Sequence, residues 1–547
     1  MKKHYAYLLT LFLFASMGHA QTVGLLQHDP ESLDDGYILF SPLLNKTTYL
    51  IDKCGRQVKT WESAYNPGCS NYILPDGTLL RAGNVNNPIF TAGGTGGIIE
   101  KIDWEGNVVW SYTVSDNVKC QHHDVKALPN GNILLIAWES KTQEEAIAAG
   151  RIPAQVGATL WSEQILEIQP VGATGGNVVW EWHLWDHLVQ DFDNTKSNYN
   201  SVVDHPELFN VNYNSSADQA DWIHLNSIDY NPVLDQIVLS SFTAGEIWII
   251  DHSTTTAEAA THAGGNSGKG GDLLYRLGNP ATYNAPIDGT ILFNGQHNAH
   301  WITDGLPFAN QIIVHNNGNG RIGGNYSSVE IINPPLSGFT YATALPILPT
   351  ASSWSYNNGN PNNYYAPFIS GAEQLPNGNV LICGGVAGVL FEVTPAGETV
   401  WKYVNPENNL GLVAQGDTPI NTFVFRCSYY PFDYSGFDGH TLTPGNIIEN
   451  ANAVSDNCTL NLAVAQVGGT NGVVAYPNPS RGMLNVKLPN HLAQGNLVLI
   501  NGMGQKVYET AIASNVVSVD TNAFASGLYY LTINAGTQQF KQKVIVE

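Results

Sequence analysis

Three histidines stand at one fixed place in a recurring pattern. The pattern pairs a strand and a tight turn with a second, apolar strand. Counting back seven positions from the turn residues Asn130, Asn231 and Asp304 lands on His123, His224 and His297. The same count from Asp76 and Asn377 lands on Cys69 and Ser370. In a repeat that closes on itself, equivalent positions face a common axis, so the pattern aims three imidazoles at one spot. A neutral imidazole near pH 7 is a nucleophile, a proton carrier or a metal ligand. No carboxylate shares the register, so the expectation is attack and proton transfer, with no metal and no cofactor. His122, His183, His187, His205, His252, His262, His300 and His440 lack this coincidence and read as structural.

Holding these rings on one axis requires a closed array. The pattern recurs in SNYILPDGTLLRAG (70–83), HHDVKALPNGNILLIAWE (122–139), HLNSIDYNPVLDQIVLSSF (224–242), HNAHWITDGLPFANQIIVH (297–315) and SGAEQLPNGNVLICGG (370–385). Copies continue into a second motif that ends in tryptophan, as in IIEKIDWEGNVVW (98–110), ILEIQPVGATGGNVVW (165–180) and LFEVTPAGETVW (390–401). Turn signals alternate with strand patterns, and no crossover helix intervenes. The reading is an all-β chain whose repeats are four-stranded propeller blades. Residues 37–61 match only the second half of a blade, and FVFRCSYYPFDYSG (423–436) supplies the missing inner strand. Pairing the two ends closes a six-bladed β-propeller and removes its free sheet edge. Two insertions interrupt the repeats. One is aromatic and Asp-rich (182–222); the other is rich in Gly, Thr and Ala (253–272).

The expected domains are a signal peptide at 1–20, the propeller at 21–470, and a small C-terminal β-sandwich at 471–547. Lys2 and Lys3, the apolar run 8–15 and the Gly18-His19-Ala20 end carry the first of these. No later run is long and apolar enough to suggest a transmembrane segment. Six cysteines in an exported chain imply at least partial pairing, with Cys54–Cys69 the easiest bridge to propose and Cys427–Cys458 next. The net charge of -23, from 46 Asp plus Glu against 23 Lys plus Arg, argues against nucleic acid as a partner.

Two resemblances follow from these motifs. Tyr476-Pro477-Asn478-Pro479 with Gly482, the 501–509 hairpin and Gly527-Leu528-Tyr529-Tyr530 resemble the C-terminal sorting domain of type IX secretion. That implies passage through the periplasm, a partnership with the secretion machinery, and a secreted or outer-surface destination. The propeller is similar to bacterial aryl-sulfate sulfotransferases in His122-His123-Asp124, in Trp222-Ile223-His224-Leu225-Asn226-Ser227 and in Gln296-His297-Asn298-Ala299. The resemblance implies transfer of a sulfuryl group from an aryl sulfate to a phenol acceptor, or to water, without a nucleotide donor. His297 then attacks sulfur, His224 stabilises the transferring group, His123 lines the pocket, and Asn226 contacts substrate.

One departure stands out. Where that family carries an arginine that holds the sulfate, this strand reads Ser240-Ser241-Phe242. Arg321 in the next blade is the substitute cation the sequence offers, and Trp182, Trp185 and Trp222 are its candidate aryl-stacking residues. The competing reading is a non-catalytic surface propeller that binds a glycan, an aromatic ligand or a protein.

Overall fold

The computed structural model describes residues 21–289, 291–357, 364–450, 458, 474–476, 478, 480–488, 495–501, 505–535 and 538–546. The expected signal peptide and the 470/471 boundary lie outside the described residues. Two compact units are present, 1–455 and 456–547.

The first unit is a ring of six antiparallel sheets. Blade 1 combines Tyr37–Pro42, Thr47–Asp52 and Gln57–Glu62 with Val424–Tyr430 from the far end of the unit. Tyr37 pairs with Tyr430, which closes the ring. The inner strands of blades 2 to 6 are Asn66–Ile73, Lys119–Ala127, Leu225–Asn231, His297–Trp301 and Gly371–Gln374. Each packs against the inner strands on either side. Blade 6 gains a fifth strand, Gly24–His28, on Thr399–Val404.

Blades stack face to face, so their middle strands are covered on both sides and read as continuous apolar runs. Ile133 through Trp138 are all buried. The strand-end aromatics peg each blade to the next. Trp61, Trp110, Trp354 and Trp401 donate their indole N–H to the carbonyls of Asp103, Gly175, Pro395 and Lys53. Trp180 donates to the Thr254 hydroxyl, and in blade 4 Tyr275 donates its O–H to the Leu348 carbonyl. Each peg buries a large apolar face and satisfies its one polar atom, the usual reason for placing an indole at an interface.

The register that sequence counting exposed has a backbone cause. Cys69, His123, His224 and Ser370 adopt φ of 90°, 53°, 55° and 89°. Ladder irregularities accompany them on the inner strands of blades 2, 3 and 4. A bulge turns one residue out of the ladder and re-aims its side chain. Left-handed backbone costs a non-glycine residue about 1–2 kcal/mol, so the surrounding ring must impose it. In blade 5 the left-handed residue is Asn298 (φ 57°), one past His297, where the ladder also shifts. The connection from Trp301 to Ile312 is longer there, and equivalence by counting slips by one.

The cysteine pairings expected from spacing are wrong. Cys54 and Cys458 are the disulfide-bonded cysteines. Cys69, Cys120, Cys383 and Cys427 are buried free thiols. Cys69 takes up the axis-facing bulge of blade 2 and packs against Ile369 and Phe425, which points it away from the Cys54 turn.

The second unit holds a three-stranded sheet (Val474–Tyr476, Met483–Lys487, Val516–Asp520) and a four-stranded one (Lys506–Ile512, Gly495–Asn501, Gly527–Ala535, Gln538–Val546). Leu484, Val486 and Val519 of the first share a core with Leu497, Leu499, Leu531 and Val544 of the second, giving the β-sandwich the sequence implies.

Candidate active site

His123, His224 and His297 do converge. The rings of His123 and His224 lie edge to face with centroids 4.6 Å apart. Phe242 stands between His224 and His297, 5.6 Å from one and 5.7 Å from the other. Phe425, on the strand that closes blade 1, completes the circle at 5.9 Å from His123 and 6.3 Å from His297.

His297 is only 2% exposed and its tautomer follows from its neighbours. Nδ1 is 3.1 Å from the Gly295 carbonyl and 2.8 Å from Asn317 Oδ1. Asn317 spends its amide N–H groups on the carbonyls of Ala366 and Ile369, which fixes its oxygen towards the ring. Both partners of Nδ1 are acceptors, so Nδ1 carries the hydrogen and Nε2 keeps its lone pair. Burial is the main cause that pushes this imidazole down to about 3, helped by the charges of His224 and His315. His297 is therefore neutral across the working range.

His224 behaves in the opposite sense. Burial alone lowers its pKa, but the charge and hydrogen bond of Asp221 outweigh that and raise it. Nδ1 donates to Asp221 Oδ2 at 2.5 Å, and Trp138 donates its indole N–H to the other carboxylate oxygen at 3.1 Å. The two imidazoles are thus shifted in opposite directions, His297 down and His224 up, the kind of separation that lets one site offer both a base and an acid.

His123 is governed from behind. Glu163 is fully buried, and burial holds its carboxyl well above the ordinary range. The Leu225 N–H donates to Glu163 Oε1, so the proton resides on Oε2, which donates to His122 Nε2 at 2.9 Å. His122 then carries its hydrogen on Nδ1 and donates it to His123 Nδ1 at 2.8 Å. His123 retains Nε2–H as its free donor. His122 is clamped flat on Trp138, centroids 3.9 Å apart, so the chain of hydrogen bonds has little slack. His122, structural by its register, and Glu163 and Asp221, which the register does not reach, all bear on the site. Asp221 carried a signal, an acid three residues before the histidine; Glu163, forty residues from His123 and two strands away in the same blade, carried none.

Asp124 completes the HHD motif. It accepts from Arg426 Nη1 at 2.9 Å and from the Tyr72 hydroxyl at 2.8 Å. Arg426 is buried beside Phe425, and its Nε and Nη2 have no partner among the described residues. Its charge also disfavours a proton on His123, after burial and the neighbouring histidines. The residue that sequence reasoning offered as the missing cation lies elsewhere: Arg321 stacks on Tyr326 at 4.1 Å and donates to Ser328 Oγ at 3.0 Å, with no contact to the three rings. Arg426 comes from the strand that closes the ring (Val424–Tyr430), and nothing near the histidines in sequence points to it.

Asn226 donates to the Gln296 carbonyl at 2.7 Å and leaves Oδ1 buried without a partner among the described residues. Gln296 in turn donates to the carbonyls of Ser241 and Glu246. This lattice pins the peptide that precedes His297. Trp182 and Trp222 are buried in the core, donating to the carbonyls of Gly271 and Tyr213. The aromatic rings in contact with the histidines are Trp138, Phe242 and Phe425 instead, and of these Trp138 and Phe425 are themselves buried.

A protein-family profile described as Arylsulfotransferase (ASST) matches residues 45–411. The chain belongs to the arylsulfotransferase family. A second profile, a secretion system C-terminal sorting domain, matches 474–547 and covers the described sandwich. This member of the family is thereby exported by type IX secretion to the cell surface or beyond. No helix among the described residues is long and apolar enough to cross a membrane. No curated protein matches the chain. Solved structures similar to it include a Bacteroides caccae protein of unknown function, at 12% identity over 72% of this chain and 98% of that one, with a TM-score of 0.39. The β-propeller domain of Myceliophteria thermophila Cps50 matches at 11% over 71% and 87%, TM-score 0.34. Streptogramin B lyase matches at 11% over 76% and 95%, TM-score 0.33. At such values they carry no argument about the site.

Proposed function

We propose that this arylsulfotransferase-family protein moves a sulfuryl group from a phenolic sulfate ester to a second phenol or to water, through a sulfo-histidine on His297. The observation that supports the reading is the opposite shift of two imidazoles flanking Phe242: burial pushes His297, whose Nδ1 faces two acceptors, down to about 3, and Asp221 raises His224.

Nε2 of His297 attacks sulfur, the sulfur–oxygen bond to the aryl group breaks, and the electron pair leaves on the phenolate oxygen. His224 donates its Nε2 proton to that oxygen, a contribution typically worth about 10²–10⁴ in rate. In the return half-reaction the acceptor hydroxyl gives its proton to neutral His224 while its oxygen takes the sulfuryl group from His297. His123 Nε2–H serves as a fixed donor to a sulfuryl oxygen, kept in that tautomer by Glu163 through His122. Losing one such preorganised donor costs about 3–4 kcal/mol in comparable oxyanion sites. Phe242 and Phe425 offer faces for the aryl ring, and Arg426 supplies positive charge from one layer deeper. Arg321 has no role in this scheme, and Asn226 acts on the Gln296 peptide.

The test is release of a chromogenic phenol from its sulfate ester, with and without phenol as acceptor, in the native protein and in His297→Ala. Release confined to the native protein supports the reading. Equal release from the variant removes His297 as nucleophile, and no release from either across several donors supports the binding-only alternative.

A further inference from the structure

A second group of histidines, sharing no residue with the first, lies where the two insertions meet. His187 follows the last strand of blade 3 (Gly175–His183), and His262 and Asp272 belong to the 253–272 insertion of blade 4. The ring of His187 is sealed from solvent and lies parallel to Trp182, centroids 5.8 Å apart. Its Nε2 is 2.8 Å from the Ala259 carbonyl, which can only accept, so Nε2 carries the hydrogen. Nδ1 of the neutral ring then presents a lone pair. What it faces, at 2.8 Å, is Asp272 Oδ1. The same oxygen lies 2.7 Å from His262 Nδ1.

Two acceptors opposed at that distance need a cation between them. A proton on His187 would serve, at the cost of a buried imidazolium. A metal ion serves better, because it satisfies Nδ1 of both histidines and the carboxylate at once. The three ligand atoms lie within 4.8 Å of one another. Donation of the far ring nitrogen to a backbone carbonyl is also the arrangement that orients metal-bound imidazoles and sets their tautomer.

We propose that His187, His262 and Asp272 bind one Zn²⁺ per chain, with a solvent molecule as fourth ligand, and that this ion staples the 182–222 insertion to the 253–272 insertion. Two imidazoles and a carboxylate suit a tetrahedral zinc. Bond lengths of about 2.0–2.2 Å place ligand atoms roughly 3.3 Å apart, so the cluster opens by about half an ångström on loading. His262, 61% exposed, is the ring free to move. Its exposure leaves the fourth position to water. A cleft of about 530 Å³, lined in part by Trp185, Tyr199 and His262, gives the ion its way in. Beside the cluster Gly271 leaves no room for a side chain: a Cβ there would fall 2.0 Å from the Ala259 carbonyl oxygen and 2.5 Å from His187 Nε2.

The experiment uses the tag-free exported chain, stripped with chelator and titrated with Zn²⁺ in a calorimeter, with thermal unfolding followed in parallel. Expected is one site per chain and a zinc-dependent rise in Tm, both lost in His262→Ala, with affinity lowered at least ~100-fold, since even outer-shell partners of zinc ligands cost about 10–100-fold. His262 is exposed, so this variant keeps its fold, checked by circular dichroism; His205→Ala, a half-buried histidine outside the cluster, binds as the native chain does. Co²⁺ in place of Zn²⁺ gives the visible bands of a four-coordinate site in the native chain and not in His262→Ala. Absence of stoichiometric binding, or binding unchanged by His262→Ala, overturns the proposal and leaves a protonated His187 as the cation.

Discussion

His252 joins two blades, and the strength of that joint is predicted to depend on pH. Its Nε2 lies 3.0 Å from Glu167 Oε2 in blade 3 and its Nδ1 2.7 Å from Asp235 Oδ1 at the start of blade 4. Burial opposes its charge, but the hydrogen bonds the ring donates to Asp235 and Glu167 override burial and raise the imidazole to about 9. A rise from 6.5 to about 9 corresponds to about 3.5 kcal/mol, at about 1.4 kcal/mol per pH unit. Asp235 is 37% exposed, so solvent screening reduces this to about 2 kcal/mol. The folded value lies above the unfolded one, so the stabilisation is complete below pH 6.5 and is lost as pH rises through 9. The perturbation is His252→Asn, and the assay is urea unfolding of the native chain and the variant at pH 6 and pH 9.5, followed by tryptophan fluorescence. The stability difference between the two proteins is expected to shrink by about 2 kcal/mol between those pH values. A difference that stays constant with pH means His252 is neutral when folded, and the charged joint is then refuted.

Other predictions concern the site. Asp221→Asn removes the carboxylate that holds the His224 proton, so the upper edge of the pH–rate profile moves to lower pH and the rate at pH 7.5 falls by about 10²-fold; an unmoved profile contradicts the assignment of His224 as acid. Glu163→Gln is expected to retain activity, because a glutamine amide donates to His122 Nε2 as the protonated acid does, whereas Glu163→Leu loses about 10²-fold or more. If Glu163→Gln is as damaging as Glu163→Leu, Glu163 is a carboxylate and the tautomer chain runs the other way. Gly94→Ala puts a Cβ 2.0 Å from the His123 ring at a backbone φ of +82°, so it should cut turnover while the circular dichroism spectrum is retained. Peptide mapping without reductant is expected to find Cys69, Cys120, Cys383 and Cys427 alkylated after unfolding and Cys54 and Cys458 protected.

The convergence of the three imidazoles was legible because a closed ring converts sequence register into a position on an axis. The count worked at His123 and His224, where the turns are short, and slipped by one in blade 5, where a longer connection moved the bulge to Asn298. Long-range partners left no such trace. Glu163, Asn317 and Arg426 come from other strands or blades, and nothing local to the histidines names them. The same limit explains the cation and the cysteines. Arg321 is the cation the sequence offers from the blade after Phe242, yet it serves Tyr326 and Ser328. Cys69 was paired with Cys54 across a short loop, although its bulge aims it at Phe425. The tryptophan periodicity, by contrast, was an accurate guide, because each indole must reach the next blade at the same point of the repeat.

The central claim is that His297 Nε2 is the atom that accepts the sulfuryl group. The most direct measurement is mass spectrometry of the native chain, quenched at alkaline pH during turnover of an aryl sulfate with no acceptor phenol. A gain of one SO₃ on the peptide containing His297, absent in His297→Ala and discharged on adding phenol, is the predicted result. A gain at another residue, or turnover that proceeds with no label at His297 while His297→Ala remains active, would contradict it.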